Sequence, residues 1–244
     1  MATFARWTNL AETTFVFPPS SAGADYRVRI FTPNREMPFA GHPTLGTCMA
    51  WLHNGGQPAS PDVVRQERAV GVVDVQVAGD TPAFVAPPTQ ILDMADAVRD
   101  DHLAALGIDE SALVNAVELD NGPRWRVFEL SDAAQVLAVD SSRVAWPQYQ
   151  AIGLIGSHAP DHECDYEVRM LAPSSGLPED PITGSLNAAL GHWLQQLGRL
   201  GATTTVAQGT SIGRSGRVTL TVDANQRLLV GGHVALLITG TVTL

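Results

Sequence analysis

The feature that most constrains this chain is a repeat. The stretch Asp25-Tyr26-Arg27-Val28-Arg29-Ile30-Phe31-Thr32-Pro33 returns as Asp165-Tyr166-Glu167-Val168-Arg169-Met170-Leu171-Ala172-Pro173. The likeness continues with Pro38 against Pro178. After a small gap His42-Pro43-Thr44-Leu45-Gly46-Thr47 faces Asp180-Pro181-Ile182-Thr183-Gly184-Ser185, and Ala50 and Leu52 face Ala188 and Leu190. One pair of copies about 140 residues apart is not a solenoid, whose units recur every ~20–50 residues. It reads as an old duplication of one folding unit.

Each copy reads as strand, loop and helix. Tyr26, Val28 and Ile30 alternate with Arg27 and Arg29, the period of two of a half-buried strand, and the second copy repeats it. Leu45 to Leu52 and Leu186 to Leu197 are apolar at helical spacing on nearly every side, so these helices belong in an interior. Alternating runs at Val70 to Val77, Val218 to Val222 and Leu228 to Val234 supply further strands. The expected architecture is α+β: two pseudo-symmetric half-barrels, each a mixed sheet wrapped around a central helix. Residues 1–98 form the first half, with 234–244 offered as a strand that completes it, and 99–233 form the second.

Pro43 and Pro181 are read at the helix-start position that favours proline, with Gly46 and Gly184 close behind. Helix starts present unpaired amides and a positive dipole end, so two of them facing one cleft would hold a carboxylate. The competing reading is two ordinary helix starts. In this alignment His42 and Asp180 occupy matching positions, and a histidine matched by a carboxylate can serve as an acid/base pair.

Composition excludes several chemistries. A net charge of -10 disfavours nucleic acid, and all 15 basic residues are arginine. Without lysine there is neither a Walker-type phosphate loop nor a pyridoxal phosphate Schiff base. No apolar stretch is long enough to span a membrane and no secretory signal is visible, so a cytoplasmic address is expected.

Three segments in order resemble the signatures of the PhzF family, named for phenazine biosynthesis, within the diaminopimelate epimerase superfamily. They are Trp7-Thr8-Asn9-Leu10-Ala11-Glu12-Thr13-Thr14-Phe15-Val16, Pro38-Phe39-Ala40-Gly41-His42-Pro43-Thr44-Leu45-Gly46-Thr47 and Glu179-Asp180-Pro181-Ile182-Thr183-Gly184-Ser185. Asn121-Gly122-Pro123-Arg124, and Gln208-Gly209 with Gly213-Arg214, also fall where that family has similar residues. The resemblance implies a diaminopimelate epimerase-like fold and a cofactor-independent isomerase or epimerase, without a metal, that moves a proton on a small carboxylate-bearing substrate. It implies Glu12 as the principal acid/base, His42 and Asp180 as assisting groups, and Gly41, Gly184 and Ser185 as the anion-binding helix starts. It also implies a homodimer. Members usually begin with additional strands, so the first half is expected to show an open sheet edge.

Other readings stand beside these. Glu12 soon after Asn9 could complete a capping box. Glu36 reads as a loop residue whose counterpart, Gly176, offers no chemistry. His158, His162 and Cys164 have a zinc-like spacing but no evident fourth ligand. Cys48 and Cys164 fall at non-equivalent positions of the repeat, which argues against a symmetric thiol pair and favours small buried apolar residues. A non-catalytic carboxylate-binding or interaction protein is the alternative function.

Overall fold

A computed structural model of the chain describes residues 1–79, 81–143, 150–173 and 179–243. The fold is α+β, with mixed sheets and helices distributed over two compact units, Met1–Val85 with Gly231–Leu244, and Ala86–Val230. Among the described residues no helix is long and apolar enough to cross a membrane.

The first unit runs α1 (Ala2–Thr8), β1 (Thr13–Phe17), β2 (Tyr26–Phe31), β3 (Glu36–Met37), α2 (Gly41–His53), β4 (Val63–Arg68), β5 (Gly71–Gln76) and β6 (Ala83–Val85). Its strand order is β1-β2-β4-β5-β6, with β3 added to β2. β2 and β4 are parallel, with Tyr26 opposite Gln66, so the chain must cross over between them, and α2 is that crossover. Pro43, Leu45 and Cys48 of α2 are buried, and Trp51 lies against Tyr26 at 4.9 Å between ring centroids. β1 ends the order and pairs only with β2 among the described strands, which is the sheet edge expected in this half. The strand expected over 234–244 is not formed: the last strand stops at Gly231, and 232–243 have no regular structure. The strand ends on Gly231 and a second glycine, Gly232, follows at once; beyond them Leu237 and Ile238 are 87% and 93% exposed, without the burial that would reward pairing.

The second unit runs β7 (Gln90–Asp93), α3 (Asp96–Leu106), β8 (Leu113–Asp120), β9 (Arg124–Leu130), α4 (Ala133–Ala138), β10 (Ile152–Ser157), β11 (Tyr166–Leu171), β12 (Glu179–Asp180), α5 (Gly184–Gln196), β13 (Thr203–Gln208), β14 (Gly216–Val222) and β15 (Leu228–Gly231). The strand order is β15-β14-β13-β11-β10-β9-β8-β7, with β12 on β11. β11 and β13 are parallel, Tyr166 lies opposite Val206, and α5 is the crossover, repeating the first unit. From Leu186 to Gly191, and again at Trp193 and Leu194, α5 is buried, the all-round burial expected of an interior helix. A second apolar cluster of Leu103, Leu106, Phe128, Leu130, Val136, Ile152, Leu154 and Leu171 fills the space under α3 and α4. Gly156 lets β10 approach the start of α4, since an ideal Cβ there would stand 2.3 Å from the Asp132 carbonyl oxygen. Gly156→Ala is expected to destabilise the protein by at least the ~1–3 kcal/mol of an overpacked core, as a lower urea midpoint.

The duplication is visible in side chains as well as strands. Asp25 accepts from the amides of Ala59 and Arg65 at 2.8 and 2.7 Å, and Asp165 accepts from the amide of Thr205 at 2.7 Å, so each aspartate joins a strand to its parallel neighbour. Arg29 binds Glu36 through two hydrogen bonds of 2.7 and 2.6 Å, and Arg169 binds Glu179 likewise at 3.1 and 2.7 Å. Glu36 therefore sits in a two-residue strand instead of a loop, and its structural counterpart is Glu179. The sequence pairings with Pro178 and Gly176 lie outside the described residues.

These pairs also correct the register of the second motif. Ile30 faces Met37 and Met170 faces Asp180, so Asp180 corresponds to Met37 and not to His42. Both helices begin on glycine, Gly41 and Gly184, which makes Ser185 the counterpart of His42. Pro43 is the third residue of α2, tolerated there because a first-turn amide has no intrahelical acceptor, whereas Pro181 lies ahead of α5.

Candidate active site

Helix α1 ends at Asn9, whose left-handed conformation (φ 51°) turns the chain, and its amide bonds back to the Ala5 carbonyl. Asn9 thus closes a helix instead of opening one, and Glu12 completes no capping box. Glu12 lies just before β1, and its Oε2 is 2.8 Å from Nε2 of His42, the second residue of α2. The side chains are 20% and 37% exposed, so the pair is screened from bulk water on one side and accessible on the other. While Glu12 is ionised, the contact requires a proton on His42 Nε2, since a carboxylate only accepts. Thr47 fixes the geometry: its hydroxyl lies 2.9 Å from that of Thr14 on β1 and 2.6 Å from the Pro43 carbonyl oxygen. The loop carrying Glu12 and the first turn carrying His42 are thereby held together.

The start of α2 follows an extended Ala40 with no side-chain cap, and the Thr44 hydroxyl bonds the Ala40 carbonyl at 2.6 Å. Gly41 and His42 bring the first amides of a 13-residue helix to this end.

In the second unit, Asp180 and the start of α5 form a cross-braced turn. The Thr183 hydroxyl donates to Asp180 at 2.6 Å. Gln208, fully buried on β13, accepts from the Thr183 amide at 3.1 Å and from Asn187 at 2.8 Å, and donates to the Asp180 carbonyl at 3.1 Å. Asn121 donates to the Ser185 carbonyl at 2.8 Å and accepts from the Trp125 indole at 3.1 Å. Gln208 and Asn121 are thus positioning residues for the turn of Gly184 and Ser185. Glu12, His42 and Gly41 meet within the first unit; Asp180, Gly184 and Ser185 meet within the second.

Among the described residues no group of three or more His, Cys, Asp and Glu side chains could hold a metal ion. His158 and His162 stack at 3.7 Å between ring centroids, His158 lies 3.2 Å from Glu167, and Nδ1 of His162 accepts from the Cys164 amide. Both cysteines are free and buried. Burial pushes the Cys48 thiol up to about 12 and raises that of Cys164 as well, away from nucleophilic form.

The family model for phenazine biosynthesis-like proteins, PhzC-PhzF, matches residues 1–240. The chain belongs to this family. Among relatives, antisense-enhancing sequence 1 of Schizosaccharomyces pombe is 33% identical over 263 residues, covering 98% of this chain and 87% of the relative. The trans-2,3-dihydro-3-hydroxyanthranilate isomerase of Pseudomonas chlororaphis is 32% identical over 220 residues, 88% of this chain and 76% of that protein. A PhzF-family protein of Bacillus anthracis superposes with a TM-score of 0.79 at 22% identity, covering 98% of this chain and 88% of its own. The fold extends to a hydroxyproline epimerase of Agrobacterium vitis, with a TM-score of 0.58 at 15% identity, covering 91% of this chain and 72% of the other. The PhzF assignment thus agrees with the resemblance carried by the three motifs.

Proposed function

We propose that this protein is a cofactor-independent isomerase or epimerase that moves a proton on a small carboxylate-bearing substrate by general acid/base catalysis. The observation that carries the reading is the 2.8 Å contact between Glu12 and His42 at the start of a helix, in a chain whose family includes named isomerases.

Glu12 takes a proton from a carbon next to the substrate carboxylate and returns it to another carbon on the same face; inversion at a single carbon would take its new proton from a second acid, Asp180, instead. His42 holds the carboxylate in place and shares the charge change, and Asp180 assists from the second unit. As the carbon loses its proton, negative charge grows on the substrate carboxylate. Amides fixed in advance, from Gly41 on one helix and from Gly184 and Ser185 on the other, stabilise that charge without reorganising. A non-catalytic carboxylate binder would have no use for a carboxylate braced against an imidazole beside the same helix start.

The deciding experiment is deuterium wash-in: the protein is incubated in heavy water with a panel of small carboxylates, beginning with trans-2,3-dihydro-3-hydroxyanthranilate and hydroxy and amino acids. Mass spectrometry then reads exchange at carbon. Exchange into one member supports the reading, and binding of a carboxylate with no exchange in any member would favour the binder instead. A homodimer is part of the proposal, since the edge strand β1 and the exposed Leu237 and Ile238 offer surface for a second copy to cover. Light scattering at micromolar concentration should give twice the chain mass, and a monodisperse monomer would remove this part.

A further inference from the structure

Arg68 ends β4 with only 6% of its surface exposed, and among the described residues it makes no ion pair with a carboxylate. Its Nη2 bonds the Gln66 side-chain oxygen, while Nε and Nη1 are buried without a hydrogen-bond partner in the protein. A buried charge in this condition calls for an opposite charge. The neighbouring Tyr26 hydroxyl and Cys48 thiol do not supply one, because burial pushes both up and holds them neutral. Arg68 itself is pushed down by burial to about 10 and remains a cation at neutral pH.

The repeat gives this cation its place in the unit. Tyr26 faces Gln66 as Tyr166 faces Val206, so Arg68 occupies the position of Gln208. Gln208 spends its side chain on the start of α5, bonding the Thr183 amide and Asn187. On β4, Gln66 bonds the Thr44 carbonyl in the first turn of α2 at 2.9 Å, and Arg68 follows on the same face of the strand. Its guanidinium lies over Phe39 at 5.6 Å from the ring centroid, two residues before Gly41. Where the second unit closes its helix start with a neutral amide, the first has a buried cation at the equivalent strand position, over Phe39 just ahead of α2.

We infer that Arg68 is the counter-charge for a carboxylate bound at the start of α2, and so a specificity-determining residue. The inference rests on the proposed function only in taking that carboxylate to belong to the substrate. The free protein carries an uncompensated charge that ligand binding neutralises, so Arg68 serves binding at the expense of stability.

The test is thermal unfolding of the full chain with benzoate as probe, against sodium chloride at equal ionic strength and against inorganic phosphate. Benzoate should raise the midpoint of the parent protein progressively with concentration. Arg68→Met should unfold roughly 2 °C or more above the parent without ligand. Benzoate affinity should fall about tenfold to a hundredfold in Arg68→Met and in Arg68→Gln, and less in Arg68→Lys. The inference is overturned if benzoate does not stabilise the parent, if Arg68→Met keeps the benzoate response, or if phosphate stabilises more than benzoate. Failure of both neutral variants to fold would overturn it too, by making Arg68 a structural residue. Absence of proton exchange in the parent would instead sink the enzymatic reading and leave this carboxylate site standing.

Discussion

Glu12→Gln is expected to slow proton exchange on the true substrate by a factor of about 10² to 10⁴ while leaving carboxylate binding largely intact. The amide keeps the shape of the glutamate and can still accept from His42 Nε2, but it cannot take up and return a proton at neutral pH. In the proposed site binding is assigned to other groups, the helix-start amides and Arg68, so the midpoint shift with benzoate should persist. His42→Asn should slow exchange less, since the histidine supports the carboxylate without holding the travelling proton. Deuterium incorporation at the substrate carbon, compared across the parent and both variants, separates the roles. If Glu12→Gln exchanges as fast as the parent, the base is another group, and His42 or Asp180 takes its place.

The largest stability effect is expected from Glu179→Ala. The Arg169–Glu179 pair is buried, each side chain 3% exposed, and Arg169 also donates to the carbonyls of Val136 and Val139 and to the Ser141 hydroxyl. Removing the carboxylate leaves a desolvated guanidinium with neutral acceptors alone, a loss of about 3–5 kcal/mol in urea unfolding. The same change at Glu36 should be nearly silent, because water screens the exposed Arg29–Glu36 pair. Replacing Arg169 and Glu179 together by methionine should recover most of the loss, since no unpaired charge remains. Equal losses at Glu36 and Glu179 would mean that burial does not decide the strength of these pairs.

The sequence was most informative where side chains repeat with the period of an element. Tyr26, Val28 and Ile30 marked a strand, Tyr166, Val168 and Met170 marked its copy, and the apolar runs after them marked the two crossover helices. It misled where the copies differ in length: β11 reaches β12 through a longer connection than β2 reaches β3, and aligning Pro43 with Pro181 absorbed the difference in the wrong place. Strand pairing, which no local pattern encodes, sets the true register and gives Ser185 to His42. Of the candidate site, Glu12 and His42 were singled out by the motifs but their contact was not, and Arg68 went unread. A charge at the end of a strand reads as solvated, and only tertiary packing buries it. The one signal was spacing, since Arg68 and Gln208 lie equally far along from their Asp-Tyr pairs.

The two cysteines have a practical consequence. Cys48 is in the first unit and Cys164 in the second, each at most 2% exposed and neither bonded to the other. An alkylating reagent can reach either sulfur only when its surroundings open, so the mass added at each site over time is a separate clock for each half of the duplication. A ligand held at the start of α2 should slow the clock at Cys48 first, and whether the clock at Cys164 slows with it would report how far the two halves open as one.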